Sequence, residues 1–114
     1  MSGARDLLAD RLRLLLASER RLSERAMFGT LSFMVNGKLA VSALKDGGLL
    51  VRVADDRYEE LLGRPGARRA EMGPGRDMGP GWIEVSADAV DDDETLATWL
   101  TPALDYNRSV TSSS

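Results

Sequence analysis

Between Ala4 and about Arg21, leucines recur at helical spacing. At 100° per residue, Leu8, Leu12, Leu15, Leu16 and Leu22 fall within one arc of about 120°. Asp6, Asp10, Arg13, Arg20 and Arg21 fall on the opposite side, so an amphipathic helix is predicted over 4–21. Leu7 and Leu14 do not join the main arc. They lie seven residues apart at its far edge, beside Arg11 and Arg21. Either they widen the buried face, or they form a stripe for a partner or a second copy of the chain.

The period then changes to two. Residues 27–35, 38–44 and 49–53 alternate as strands do, with Leu31, Phe33, Leu39, Val41, Ala43, Leu49, Val51 and Val53 predicted to face the core. Thr30, Ser32, Ala40, Ser42 and Arg52 face the other way, bordered by Met34 and Leu50. Asn36-Gly37 marks a hairpin. A two-residue loop there would put Phe33 and Leu39 on opposite faces. A three-residue loop, Val35-Asn36-Gly37 with Gly37 left-handed, pairs Phe33 with Leu39 and keeps the large apolar residues together, and is the predicted turn. Lys45–Gly48 forms the next turn.

After Val53, Asp55 or Asp56 is expected to cap a short helix that turns Tyr58, Leu61 and Leu62 inward and ends at Gly63. Ala67–Met72 reads as a weak edge strand, GPGRDMGPG as a loop and Trp82–Val85 as a further strand. Asp91–Glu94 open a last helix with Leu96, Trp99, Leu100, Ala103 and Leu104 on one face. Pro102 lacks the amide that would bond residue 98, so a kink or restart is predicted there. The order α-β-β-β-α-β-β-α implies an α+β, two-layer fold: an antiparallel β-meander sheet of about five strands with helices packed on one face. A single domain over 1–108 is expected, followed by a disordered small-residue tail at 109–114.

Composition narrows the chemistry mainly by exclusion. The 114 residues suffice for one domain with a modest core. Neither Cys nor His occurs, which removes thiolate nucleophiles, disulfides, serine-hydrolase triads and imidazole- or thiolate-bound metals. The chain is therefore expected not to be an enzyme and to hold no cofactor or metal. Charges interrupt the N-terminal segment MSGARDLLADRLRLLL, so neither a signal peptide nor a membrane span is expected, and a cytoplasmic location follows. The net charge is −3, and residues 84–114 hold seven acids against one arginine. That acidic third repels a phosphate backbone and argues against direct nucleic-acid binding.

The remaining motifs have simpler structural readings. GPGRDMGPG has the wrong glycine spacing for a phosphate loop, and its prolines lack N–H groups. The carboxylates of Asp91–Glu94 diverge around a helix start and suit the helix dipole better than a metal ion. Arg64, Arg68 and Arg69 form the one mid-chain basic cluster; they either contact phosphate or keep an edge strand solvated. Thr30, Ser32 and Met34, on the outer sheet face, are a candidate docking surface beside Leu7 and Leu14.

Met27-Phe28-Gly29, the aromatic at Phe33, Val35-Asn36-Gly37-Lys38, a turn and then Leu49-Leu50-Val51-Arg52-Val53 together resemble the core of the TfoX/Sxy N-terminal domain family. RDMGPGWIEV and Trp99 resemble later family segments, so the similarity runs from residue 4 to 106; Thr30 stands where the family usually has a second Gly. The best-known members carry an additional helical domain and regulate natural-competence genes with the cyclic-AMP receptor protein. The resemblance implies a regulatory or adaptor domain without catalytic residues, working through a protein partner, with transcriptional machinery or a second copy of the chain as the options. The alternatives are a nucleic-acid module using the Arg64/Arg68/Arg69 edge, and a small-molecule site or His-free enzyme near GPGRDMGPG using Tyr58, Tyr106 or a carboxylate.

Overall fold

The computed structural model describes residues 3–111 except 20, 28 and 74, with the side chains at 27, 72 and 76 also left aside. Arg20 on the polar helix face, Phe28 and Pro74 in their motifs, and 112–114 of the expected tail therefore lie outside the described residues. The elements are α1 (Ala4–Leu15), β1 (Leu22–Met27), β2 (Thr30–Val35), β3 (Lys38–Ala43), β4 (Leu49–Arg52), a 3-10 turn (Asp55–Arg57), α2 (Tyr58–Leu62), β5 (Ala67–Arg69), β6 (Glu71–Gly73), β7 (Arg76–Asp77), β8 (Trp82–Val85), a second 3-10 turn (Ala87–Val90) and α3 (Asp93–Thr111).

The fold is α+β. One antiparallel sheet has the order β1-β2-β3-β4-β8-β5, and β6 and β7 make a separate small hairpin. β8 runs antiparallel to both β4 and β5, so those two are parallel and joined through α2, with β8 inserted between them. Two cross-strand rows, Phe33-Val41-Val51-Ile83 and Leu31-Ala43-Leu49-Val85, line one sheet face. Leu8, Ala9, Leu12 and Leu16 from α1, Tyr58 and Leu61 from α2, and Leu96, Trp99, Leu100 and Ala103 from α3 pack on these rows in a single core. Period-two alternation thus supplies one apolar sheet face, and period-3.6 stripes supply its cover.

The first helix is shorter than its leucine pattern predicts. α1 stops at Leu15, and Arg21 adopts a left-handed φ of 55° that turns the chain into β1. β1 was not predicted: LSERAM alternates too weakly in hydrophobicity to announce a strand. It forms because the free edge of β2 offers a full ladder, from Leu22↔Val35 to Met27↔Thr30. Leu22 reaches the core from this strand and not from the helix, while Leu15 is 37% exposed and lies outside the core.

The predicted three-residue hairpin loop is also overturned. Asn36 (φ 54°) and Gly37 (φ 83°) form a two-residue loop flanked by the Val35↔Lys38 pair. Met34 pairs with Leu39 and Phe33 with Val41, so a bulge at Leu39–Ala40 absorbs the parity conflict and Leu39 turns to the outer face with Met34. Asn107, buried in α3, donates its Nδ2 hydrogens to Val35 O (3.0 Å) and Lys38 O (3.3 Å), clamping both ends of that loop.

Three helix ends differ from expectation as well. Asp55 and Asp56 enter a 3-10 turn with no side-chain cap hydrogen bond. Asp92 caps α3, accepting the Thr95 N–H at Oδ2 (2.9 Å), and this bond holds its carboxyl below the usual range. α3 runs unbroken through Pro102 to Thr111, three residues into the stretch read as tail.

β1 is fastened to α1 by a fork-to-fork contact. Arg13 Nε and Nη2 donate to Glu24 Oε2 (2.7 Å) and Oε1 (2.8 Å), and this holds the Glu24 carboxyl below its ordinary value. Because the folded value is depressed, the stabilisation is present above the ordinary carboxylate range and is lost as pH falls through the depressed value. Both groups are partly exposed, so Glu24→Gln should cost less than about 1 kcal/mol at pH 7. In urea unfolding, the gap between wild type and variant should close by pH 3; a gap that persists there would show that Glu24 acts by packing instead.

Candidate interaction surface

α1 lies with Leu8, Leu12 and Leu16 in the core and presents its opposite side to solvent. Leu7 is 58% exposed and Leu14 79% exposed. They are two turns apart, roughly 10 Å along the axis, so they form one stripe. Arg11 on one flank is tied to Asp93 (2.9 Å), and Arg13 on the other bonds Asp10 as well as Glu24. These ion pairs hold the helix over the sheet while leaving its apolar stripe uncovered. The reading of Leu7 and Leu14 as a wider buried face is therefore overturned.

The outer sheet face is less open than its small polar residues suggest. Ser32 and Ser42 are opposite each other in the β2–β3 ladder, are both buried, and share a hydrogen bond of 2.9 Å. Their hydroxyls satisfy one another, so Ser32 offers nothing to a partner. Thr30 and Met34 are partly buried around this pair, with Leu39 beside Met34.

The three arginines do not form one patch. β5 is an edge strand, as predicted, but Arg68 and Arg69 alternate across it. Arg68 forms an ion pair with Glu84 of β8, which lies opposite it in the ladder. Arg69 lies 3.8 Å from Asp77. Arg64 points to α3, where Nη1 donates to Thr98 O (2.9 Å) and the guanidinium stacks over the Trp99 ring, 4.9 Å from its centroid. Thr98 is the residue whose carbonyl lost its helical partner to Pro102. Arg64 supplies the missing donor and lets α3 continue.

A second stacked arginine lies on β4. Arg52 Nη2 donates to the Tyr106 hydroxyl (2.8 Å) and Nη1 to Val53 O (2.7 Å). Its guanidinium carbon is 4.4 Å from the Tyr106 ring centroid and 5.3 Å from that of Trp82. Sequence alternation placed Arg52 outward but could not pair it with Tyr106, 54 residues away in the chain. Gly81 makes room for this cluster: a Cβ there would lie 1.8 Å from Arg52 Nη1 and 2.9 Å from Val53 O.

Two comparisons test these contacts. Gly81→Ala (φ 94°) should destabilise by about 1–3 kcal/mol more than Gly37→Ala (φ 83°), because position 37 is equally left-handed but has nothing within 4 Å of an added Cβ. Equal losses in urea unfolding would assign the whole effect to backbone conformation. Arg64→Met should cost about 1 kcal/mol in the native chain and measurably less in a Pro102→Ala background, where the Thr98 carbonyl regains a backbone donor. Strict additivity of the two substitutions would remove Arg64 from that role.

A model of the TfoX N-terminal domain matches residues 14–106, from the last turn of α1 to Tyr106. Comparison with curated proteins finds no match, and neither does comparison with solved structures. The matched stretch holds the entire sheet, the Arg64 and Arg52 contacts and most of α3, and the chain belongs to the TfoX N-terminal domain family.

Proposed function

We propose that this chain is a small cytoplasmic regulatory or adaptor domain that catalyses no reaction and acts by protein–protein contact through the Leu7/Leu14 stripe of α1, with a component of the transcriptional machinery as partner. One observation carries the reading: two large apolar side chains, 58% and 79% exposed, stand two turns apart on a helix whose opposite side is in the core. An amphipathic groove on a partner would cover such anchors. Membership of the TfoX N-terminal domain family supports a regulatory role. No helix among the described residues is long and apolar enough to cross a membrane, which leaves the stripe better suited to a protein than to a bilayer. The nucleic-acid alternative loses its basis, because Arg64, Arg68 and Arg69 are each engaged within the fold and point in different directions.

The test is affinity purification of tagged chain from lysate of its own host at physiological salt, beside the Leu7→Lys/Leu14→Lys variant. Both positions are exposed, so the variant should keep its unfolding midpoint within about 0.5 kcal/mol. A transcription factor or polymerase subunit recovered in stoichiometric amount with the wild type and lost with the variant is the expected result. The same proteins recovered with both chains, or none with either, would overturn the assignment. A dimer of the wild type in sedimentation that becomes a monomer in the variant would assign the stripe to a second copy instead.

A further inference from the structure

Away from the α1 stripe, the run Asp55-Asp56-Arg57-Tyr58-Glu59-Glu60 passes from the first 3-10 turn into α2. This segment, β5 and the β7–β8 loop enclose an open cleft of about 470 Å³ lined by Asp55, Tyr58, Glu59, Arg69, Asp77 and Pro80. That volume lies within the span of small-molecule sites, about 300–1,000 Å³. Three carboxylates face one guanidinium. Arg69 is 3.8 Å from Asp77, and Asp55 is 3.7 Å from Arg52, but Glu59 has no ion-pair partner among the described residues.

Tyr58 gives the cleft a second feature. It is only 6% exposed and belongs to the core, yet it also lines the cleft, and among the described residues nothing hydrogen-bonds its hydroxyl. Such a nearly buried polar group is ordinarily paired, because leaving it unpaired is costly.

We propose that this cleft binds a small organic cation, an alkylammonium or guanidinium group, whose N–H donates to the Tyr58 hydroxyl while Asp55, Glu59 and Asp77 compensate its charge. The hydroxyl oxygen can accept while its own hydrogen turns toward Asp77. Burial, followed by the charge of Asp77, pushes the phenol above its ordinary value, so it stays neutral at pH 7. The carboxylates surround an opening without converging, and among the described residues no group of three could hold a metal ion. An extended cation with several N–H donors fits that spread better than a bare metal ion does. This site shares no residue with the α1 stripe, so the two readings stand or fall separately.

Agmatine, which carries a guanidinium at one end and an ammonium at the other, is the probe. In NMR titration of the full chain at constant ionic strength, it should give saturable amide shifts confined to 55–59, 69 and 77–80, with an affinity on the order of 1 mM. Tyr58→Phe keeps the ring, and Asp77→Asn keeps the acceptor that Gly79 N–H uses (2.8 Å), so both variants should stay folded. Each should weaken binding several-fold and the pair about tenfold. Shifts that never saturate, that spread over the whole acidic surface, or that are unchanged in Tyr58→Phe would overturn the proposal. Calcium competing with agmatine at equal ionic strength for the same amides, more tightly than agmatine binds, would also overturn it in favour of a metal.

Discussion

The architecture depends on α3 remaining one helix across the sheet. Leu96, Trp99, Leu100 and Ala103 cover the inner rows of the sheet, and Asn107, two turns beyond Leu100, holds the β2–β3 loop. Pro102 sits in the middle of that span and deletes one helical hydrogen bond. The bond is replaced from outside the helix: Arg64, arriving from the end of α2, donates to Thr98 O and packs its guanidinium on Trp99. A residue that looks like a phosphate ligand in one dimension is a splint for a proline in three.

Other long side chains act in the same way. Arg13 spans from α1 to Glu24 on β1, Arg11 from α1 to Asp93 at the start of α3, and Arg52 from β4 to Tyr106 near its end. These contacts join elements distant in the chain around a core too small to set every angle by packing alone. They also use up most of the positive charge that a nucleic acid would need, leaving an apolar stripe and an acidic cleft as the two surfaces with unfilled capacity. Function on such a scaffold resides in those surfaces and not in the fold itself.

Much of the fold could be read from the chain because its two periodicities are clean. β2, β3, β4 and β8 fall where alternation places them, within a residue or a few, and the α3 face is the one its spacing predicts. Of the candidate surface, only the leucine stripe was legible, since Leu7 and Leu14 deviate from the helical arc by angle alone. The burial of Ser32 was hidden because a hydroxyl facing another hydroxyl looks, in sequence, like one facing water. Tyr58 was legible as an inward residue, but its position at a cleft wall depends on the β7–β8 loop folding back on α2.

The chain by itself determined one apolar sheet face, the helices that cover it and the absence of thiol and imidazole chemistry, because these follow from side-chain period and composition. Pairings between distant segments were settled by tertiary structure. β1 became a strand because β2 had an unpaired edge, despite its weak pattern. The hairpin took its two-residue loop, with a bulge further along, because Asn107 could bond the carbonyls on both sides of it. α3 kept its length because Arg64 could reach Thr98. In each case a backbone polar group needed a partner, and the partner lay too far along the chain for local pattern to reveal it.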